Sequence, residues 1–479
     1  MAEATPKKAV FTTGSTMRHV VVMTATSSIG LVSIFLVDGL NLFYIALLGQ
    51  QELAAAIGYA ATIMFFSISI CIGISIAAAA LVGRALGAGD EARARELSTL
   101  SLIYLLIITT LLAAATFPAI RFLLSILGAE GETLDLAVGF MQIVVPSIPL
   151  LGLGMCFGAL LRAKGDPRRA MFVTLSGGAA ALVIDPLLIF GLGWELTGAA
   201  IATVLVRCVL VVVGLWGVHK VHGMLGPVRF STATGALRPF FAIALPAVAT
   251  QLATPVGNAY VTASIADFGD DAVAGWAIVG RLLPVAFGVI FALSGSVGPI
   301  VSQNYGAKLF DRVNSTMRDA LLFTLIYCLS VWALLALLAP YIVTLFGASG
   351  DAADIVTVFC LFVAGSFLFN GALFVANAAF NNLGFAFYAT VFNWGRATLG
   401  VVPFVWVGQA YGPSGVLIGW GLGAVVFGVG AAVVAFRLIA TLPARNAKDA
   451  EKDAATGATP AVPAASASPF SSGKTVSFD

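Results

Sequence analysis

Long uninterrupted apolar segments are the feature of this chain that most restricts its fold. Runs of 18 or more apolar residues recur along nearly the whole length of the 479 residues. As helices that rise about 1.5 Å per residue, such runs can cross about 30 Å of hydrocarbon. Charged residues make up only 10% of the chain, whereas a soluble domain has about 25%. Because the apolar residues are continuous rather than alternating, we predict an all-α membrane protein and exclude a transmembrane β-barrel.

The chain is predicted to form about twelve transmembrane helices in two six-helix bundles. The predicted spans are residues 17–48, 53–84, 96–125, 132–162, 170–192, 196–219, 239–268, 271–305, 314–346, 352–382, 386–410 and 413–440. The predicted units are an N-terminal cytoplasmic segment (1–16), an N-terminal lobe (17–219), an inter-lobe loop (220–238), a C-terminal lobe (239–442) and a disordered tail (443–479).

Basic residues are concentrated in the loops that follow the even-numbered spans. Examples are Arg93 and Arg95 after the second span, and Arg168 and Arg169 after the fourth. The loops on the opposite side are acidic or neutral, as at Asp270. The positive-inside rule then places both termini in the cytoplasm. We expect a multi-pass protein of the plasma membrane, which in bacteria is the inner membrane.

The two lobes share short sequences at a nearly constant offset. Gly87 and Gly306 lie in matching loops, and the spacing between them is the same as that between Arg93 and Arg312. Six helices per lobe, starting on the same side, predict parallel repeats related by a pseudo-two-fold axis along the membrane normal. Paired repeats are typical of transporters in which one half rocks against the other around a central site.

Two acidic residues interrupt the apolar spans of the N-terminal lobe. Asp38 lies in the first span, and Asp185 lies in the fifth, directly before Pro186. A charge at the bilayer centre costs about 2.5–3.5 kcal/mol on insertion scales, and such residues usually face a bundle interior or a water-filled path. Two neighbouring acids at similar depth can take up and release a proton. We place Asn41 and Thr203 beside them in the same coupling site; the alternative is that these side chains only join helices.

The spans of the C-terminal lobe contain amides and aromatic residues, but no acid away from their ends. The predicted lining residues of a substrate cavity are Gln251, Asn258, Tyr260, Asn370 and Asn377. The alternative for each is core packing or hydrogen bonding between helices. Arg207, Arg281 and Arg396 also fall within spans, and the sequence identifies no partner for the deeper two, Arg207 and Arg396.

The residues needed for several other functions are absent from the sequence. Three histidines and five cysteines show no metal-ligand spacing, so we expect no metal site and no cofactor apart from transported protons or Na⁺. No Walker motif is present. A membrane-embedded transferase would need acids at a cavity, whereas the Asp270–Asp271 pair lies in a predicted outer loop. We therefore expect no enzymatic activity, no nucleic-acid partner and a monomer in contact with membrane lipids.

These motifs together resemble the multidrug and toxic compound extrusion (MATE) family of secondary transporters. The resemblance covers residues 17–440 and rests on Val37–Asp38, Leu48–Gly49, Leu53–Ala55, Gly87–Asp90, Gln303–Ala307, Ile184–Gly191 and Thr197–Thr203. It implies two six-helix bundles that form a V, and antiport of organic, often cationic, compounds against protons or sodium ions.

The resemblance is strongest to the proton-coupled prokaryotic branch. Acids that match Asp38 and Asp185 form the cation site of the N-terminal lobe there, together with a hydroxyl that matches Thr203. This chain departs from the branch at Ala181, where Asn is common, and at Ile34, where Tyr occurs. The sodium-coupled branch often places acids in helices 7 and 10, which this chain lacks, and this absence favours protons.

The expected function is therefore multidrug efflux of small amphipathic or cationic organic compounds by proton antiport. The alternatives are a sodium-coupled antiporter of the same fold, a flippase for lipid-linked precursors from the same superfamily, and a passive channel.

Overall fold

The computed structural model describes residues 9–47, 51–228 and 230–456. Side chains at 38, 40–43, 45–47, 51, 230–232, 449–450 and 452–456 also lie outside the description. The helices are α1 (Thr16–Leu47), α2 (Gln51–Gly87), α3 (Glu91–Ile126), α4 (Gly131–Val144), α5 (Ile148–Lys164), α6 (Pro167–Pro186), α7 (Glu195–Leu215), α8 (Phe230–Ala266), α9 (Asp270–Gly306), α10 (Phe310–Leu345), α11 (Gly350–Leu361), α12 (Phe367–Leu383), α13 (Ala386–Gly395), α14 (Val402–Gln409) and α15 (Gly412–Thr456). Short 3₁₀ turns occur at Val10–Thr12, Val145–Ser147 and Val363–Ser366, and π-helical turns at Leu187–Gly191, Trp216–Val221 and Arg396–Gly400.

The described residues contain no strand, and eleven apolar helical stretches within them are long enough to cross a membrane. The prediction of an all-α, multi-pass membrane protein is thereby confirmed. The predicted span 386–410 is divided into α13, a π-helical turn and α14, so no single helix there has the full length.

Two predicted boundaries differ from the structure. α8 begins at Phe230, within the predicted loop 220–238, and its first turns pack on the N-terminal lobe, where the hydroxyl of Tyr104 donates to the carbonyl oxygen of Ala233 at 2.5 Å. α15 extends to Thr456, into the predicted tail, because residues 444–456 are rich in strong helix formers such as Ala, Lys and Glu. Residues 457–479 lie outside the described residues.

Unusual backbone conformations recur in the two lobes at the offset seen in the sequence. Gly165 and Gly384 have the same spacing as Gly87 and Gly306, and both end a helix in the left-handed conformation, with φ of 91° and 89°. The breaks that separate α4 from α5 and α11 from α12 begin at Val145 and Val363, at nearly the same spacing. The repeat thus extends to local backbone geometry, whereas the axis along the membrane normal stays a prediction.

Helices α2 and α9 cross in direct backbone contact between the two lobes. A methyl group on Gly87 would overlap the carbonyl oxygen of Gln303, and one on Gly306 would overlap that of Arg84. Gly87 and Gly306 are equivalent positions of the repeat, and so are Arg84 and Gln303. The crossing is therefore reciprocal, and glycine is required on both sides for the helices to approach this closely.

Each of these two helices also supplies a side chain that caps the end of a helix in the opposite lobe. The Nε of Arg84 donates to the carbonyl oxygen of Asn382 at 2.9 Å, and the Nε2 of Gln303 donates to that of Ala163 at 2.7 Å. Ala163 and Asn382 lie in the last turns of α5 and α12, where helix carbonyl groups lack an internal partner. We call these two contacts the reciprocal caps, and the end of the bundle that contains them the closed end.

The N-terminal segment fills the seam between the lobes at the closed end. Phe11 is buried, and its backbone N–H donates to the Oε1 of Gln303 at 2.9 Å. Its carbonyl oxygen accepts from Asn304 at 3.2 Å and from Arg312 at 3.0 Å. Arg312 also donates to the carbonyl oxygens of Thr13 and Gly14. The segment thus ties α9 and α10 of the C-terminal lobe to the start of α1.

One face of α9 changes from buried to exposed along the length of the helix. Val285 and Gln303 are about five helical turns apart, and so they lie on the same face. Gln303 is 1% exposed, whereas Val285 is 82% exposed. This face of α9 is therefore uncovered away from the closed end, and we call the space beside it the cleft.

The helix crossing at the closed end predicts a difference between two Gly→Ala variants of α9. Gly306→Ala should lower the free energy of unfolding by about 1–3 kcal/mol, the usual cost of overpacking. Gly295→Ala is the matched control, since no neighbouring atom lies within 4 Å of an added methyl group there. The measurement is thermal unfolding of the two purified variants in detergent. Equal melting temperatures for both would contradict the assigned contact.

Candidate functional site

The buried acid of the N-terminal lobe lies where α6 loses its regular backbone. Asp185 is 2% exposed and stands in the last turn of α6, before Pro186. The chain then forms a π-helical turn, in which the N–H of Leu192 donates to the carbonyl oxygen of Leu187 at 2.9 Å. Proline lacks the N–H that would continue the α-helical pattern, and π-helical turns are frequent at functional sites. Among the described residues, no group donates a hydrogen bond to the Asp185 carboxylate and no cation faces it.

Helix α7 packs antiparallel on α6 and on the π-helical turn. The carbonyl oxygen of Leu188 would lie 2.7 Å from a Cβ at Gly198, and Gly177 of α6 packs on Leu210 of α7. This register sets the buried acid level with residues 201–203. The structure therefore brings the predicted Thr203 to the depth of the acid.

The other predicted coupling residues have different outcomes. The hydroxyl of Thr203 donates to the carbonyl oxygen of Ala199 at 2.9 Å, within its own helix, and it can still accept a hydrogen bond. Asp38 and Asn41 lie in α1, but their side chains are outside the described residues. The described part of α1 packs in parallel along α6, as the contacts of Gly30 with Thr174 and of Ser33 with Gly178 show.

The predicted cavity residues of the C-terminal lobe divide into two groups. Asn370 and Asn377 are buried in α12, and the Oδ1 of Asn377 accepts from the Nδ2 of Asn393 at 2.9 Å. Asn377 thus joins α12 to α13. In α8, Gln251 and Tyr260 are partly exposed and Asn258 is exposed. The sequence analysis missed Asn393, which lies directly before Trp394 in an apolar segment.

Arg207 finds its partners at the break between α4 and α5. One guanidinium nitrogen donates to the carbonyl oxygen of Val144 at 3.1 Å and to the Oγ of Ser147 at 2.6 Å. The break contains Pro146, which removes a backbone donor and contributes to the irregular turn. Arg207 is therefore a structural cap of an interrupted span.

Arg396 and Arg281 occupy different environments. Arg396 is 7% exposed, begins the π-helical turn of the C-terminal lobe, and donates one hydrogen bond, to the Oγ1 of Thr254 at 3.1 Å. Its Nε is buried without a partner among the described residues. Arg281 is exposed on α9, about five turns from buried Pro299 on the same face, which is the face that borders the cleft.

A polar cluster at the closed end surrounds a pocket of about 340 Å³. Asp166 caps α6 by accepting from the backbone N–H of Arg169 at 3.1 Å, and it pairs with the side chains of Arg169 and His222. Burial acts against the charged form, yet these hydrogen bonds hold the pKa of Asp166 below its ordinary value. Its stabilising contribution is present at neutral pH and is lost only as the pH falls through the lowered pKa. Asp166 therefore stays ionised near neutral pH.

Comparison with known proteins agrees with this two-lobed, cleft-containing architecture. The MatE family model matches residues 22–187 and 246–407, which is more than half of the chain. The chain belongs to the MatE family. The family members are transporters rather than enzymes, which confirms that expectation from the sequence, and the prediction of a MATE-type transporter is likewise confirmed.

Two curated relatives cover most of this MatE-family chain. A protein of Shewanella oneidensis named "FAD transporter" is 28% identical over 435 residues, covering 89% of this chain and 95% of its own length. A protein of Staphylococcus haemolyticus named "Multidrug export protein MepA" is 26% identical over 395 residues, covering 80% and 84%. Both relatives are named as proteins that move compounds across a membrane.

Two solved structures share the fold. An outward-facing multidrug resistance MATE transporter of the MOP superfamily superposes with a TM-score of 0.85 at 21% identity, covering 92% of this chain and 100% of that chain. A MOP superfamily transporter from Pyrococcus furiosus gives the same TM-score, identity and coverage. At this identity the likeness concerns the fold alone.

The cap on the α4–α5 break predicts that substitutions at Arg207 and Ser147 have non-additive effects on stability. Ser147→Ala removes an acceptor of the buried guanidinium and should destabilise the protein by about 1.5–3 kcal/mol. In an Arg207→Leu background the same substitution should cost much less, because the hydrogen bond is already lost. A double-mutant cycle of thermal unfolding measures the difference, and additive effects of the two substitutions would disprove the contact.

Proposed function

We propose that this transporter exports small amphipathic or cationic organic compounds in exchange for protons, as a monomer in the plasma membrane with both termini in the cytoplasm. The observation that supports proton coupling is the Asp185 carboxylate, 2% exposed and without a cation or hydrogen-bond donor among the described residues. A carboxylate in such surroundings is costly to keep charged, so it readily exchanges its charge for a proton.

The proposed cycle starts with the closed end facing the cytoplasm, as the positive-inside rule suggests. The cleft then opens to the outside. A proton that enters from this side neutralises Asp185, so the site holds a cationic substrate less strongly and the substrate leaves outward. Rocking of the lobes opens the other side, where the proton is released and a new substrate binds. The membrane potential contributes about 2.3 kcal/mol per charge per 100 mV.

The irregular backbone beside the acid supports a change of helix packing upon protonation. Pro186 and the π-helical turn at Leu187–Gly191 leave fewer regular hydrogen bonds to break than a continuous helix would. We propose Asp38 as the second acid of the pair and Asn41 and Thr203 as hydrogen-bonding partners. In the C-terminal lobe, the proposed cavity lining is Gln251, Asn258, Tyr260, Asn370 and Asn377.

The substrate class follows from the relatives and the cleft. The Staphylococcus haemolyticus relative is named as a multidrug export protein, which supports broad export of amphipathic compounds. The Shewanella oneidensis relative is named as an FAD transporter. FAD combines an aromatic ring system with phosphate groups, so we include amphipathic anions in the proposed substrate range.

Loss of the titratable group at Asp185 tests the proposed coupling. Asp185→Asn should abolish ethidium export driven by a pH gradient in proteoliposomes, because the amide cannot bind and release a proton. Thermal unfolding of the variant should match that of the unchanged protein. Asp135→Asn is the matched control, since Asp135 is an exposed acid that pairs with Arg121 outside the cleft.

Full pH-driven export by Asp185→Asn would refute the proposed role of this acid. A sodium gradient that drives export without a pH gradient would support the sodium-coupled alternative. Transbilayer movement of a fluorescent lipid, without ethidium export, would support the flippase alternative.

A further inference from the structure

Arg396 is a buried cation that the fold leaves incompletely satisfied. It donates a single hydrogen bond, to the hydroxyl of Thr254 at 3.1 Å, and its Nε has no partner among the described residues. Arg207, the equally buried arginine of the other lobe, donates to both a carbonyl oxygen and a hydroxyl. Burying a guanidinium with so few acceptors is expensive unless another acceptor binds to it during function.

The C-terminal lobe contains no acid that could neutralise Arg396. The acids between residues 239 and 442 are Asp267, Asp270, Asp271, Asp311, Asp319, Asp351 and Asp354. All of them lie at helix ends or within three turns of one, whereas Arg396 is central in the segment 386–409. No charged group among the described residues faces its guanidinium. Intramembrane cations usually pair with an acid or with carbonyl groups, so the counter-charge is expected to come from outside the chain.

The hydroxyl that holds Arg396 lies on the inward face of α8. Leu245 and Val256 are exposed apolar residues on one side of this helix, a side suited to contact with lipid. At about 100° per residue, Thr254 lies on the opposite side and Asn258 lies next to it. Both are polar and exposed, on the side of α8 opposite these apolar residues. Arg396 is therefore buried directly behind a hydroxyl that is accessible from outside the protein.

We propose that Arg396 and Thr254 form a subsite for an acidic group, phosphate or carboxylate, of an exported amphipathic compound. A guanidinium presents a planar fork of donors that matches both groups. The proposal rests on the export function proposed above and narrows its substrate class. The subsite lies in the lobe opposite Asp185, so the acid that binds protons and the cation that binds substrate do not neutralise each other.

Matched pairs of substrates that differ by one acidic group test the subsite. The pairs are flavin mononucleotide with riboflavin, and fluorescein with its methyl ester. Export is measured in proteoliposomes of zwitterionic lipid, which removes anionic lipid headgroups as competitors for the arginine. The unchanged protein should prefer the acidic member of each pair. Arg396→Gln should lower kcat/KM for the acidic member by about tenfold or more, the effect of losing a charge-assisted hydrogen bond. It should change kcat/KM little for the other member, which lacks this acidic group.

Three further variants separate charge recognition from general damage. Arg396→Lys should retain part of the preference, and Thr254→Val should give a smaller loss confined to the acidic member. Arg437→Gln removes the same charge from an exposed position on α15 and should leave the preference unchanged. The preference should also persist when anionic lipid is added; its loss there would assign the subsite to lipid headgroups and overturn the proposal.

The outcomes also distinguish this inference from the proposed function. The subsite is overturned, and the antiporter is left intact, if ethidium is exported but the acidic members are not preferred. The same conclusion follows if Arg396→Gln lowers kcat/KM equally for both members of a pair. If no compound is exported, the proposed function fails. In that case the quenching of flavin fluorescence on binding to the purified protein decides whether Arg396 still selects the phosphate.

Discussion

Hydrogen bonds between the two lobes hold this protein in a conformation that is closed at one end. The last turns of α5 and α12 have carbonyl groups without helical partners, and the opposite lobe supplies those partners through Gln303 and Arg84. Glycines at the crossing of α2 and α9 bring the backbones close enough for these contacts. Because water can replace each of these hydrogen bonds at an open end, closure and opening can be close in free energy, as alternating access requires.

Three charged side chains within the spans lie at, or bind to, irregular parts of the helices. Asp185 precedes a π-helical turn, Arg396 begins another, and Arg207 caps the break between α4 and α5. Inside a membrane, irregular backbone is tolerated only where protein or water satisfies its polar groups. The breaks therefore form at positions where charged side chains or a water-accessible cleft can serve the freed backbone groups, and these are the positions where transport chemistry can occur.

The two lobes have similar folds, and each buries an arginine, but a central acid occurs in the N-terminal lobe alone. The N-terminal lobe contains the acid Asp185, whereas the C-terminal lobe contains the cation Arg396 and no central acid. Duplication explains the shared geometry, including the reciprocal caps, but it does not dictate the same chemistry in both halves. The proposed division into a proton-binding lobe and a substrate-binding lobe is based on this asymmetry.

The amino-acid sequence by itself determined the apolar spans, the repeat and the burial of Asp185, because each of these depends on local composition or on a constant spacing. Tertiary structure alone decided the partners of the arginines, since Arg207 reaches Ser147 on another helix break and Arg396 reaches Thr254 on α8. The apolar pattern of a span does not depend on which face a hydroxyl or amide side chain occupies. Nothing in the sequence therefore distinguishes Thr254 or Asn393 from other residues of the same type. Such pairings depend on helix register and rotation, which are set by packing between segments distant in the chain.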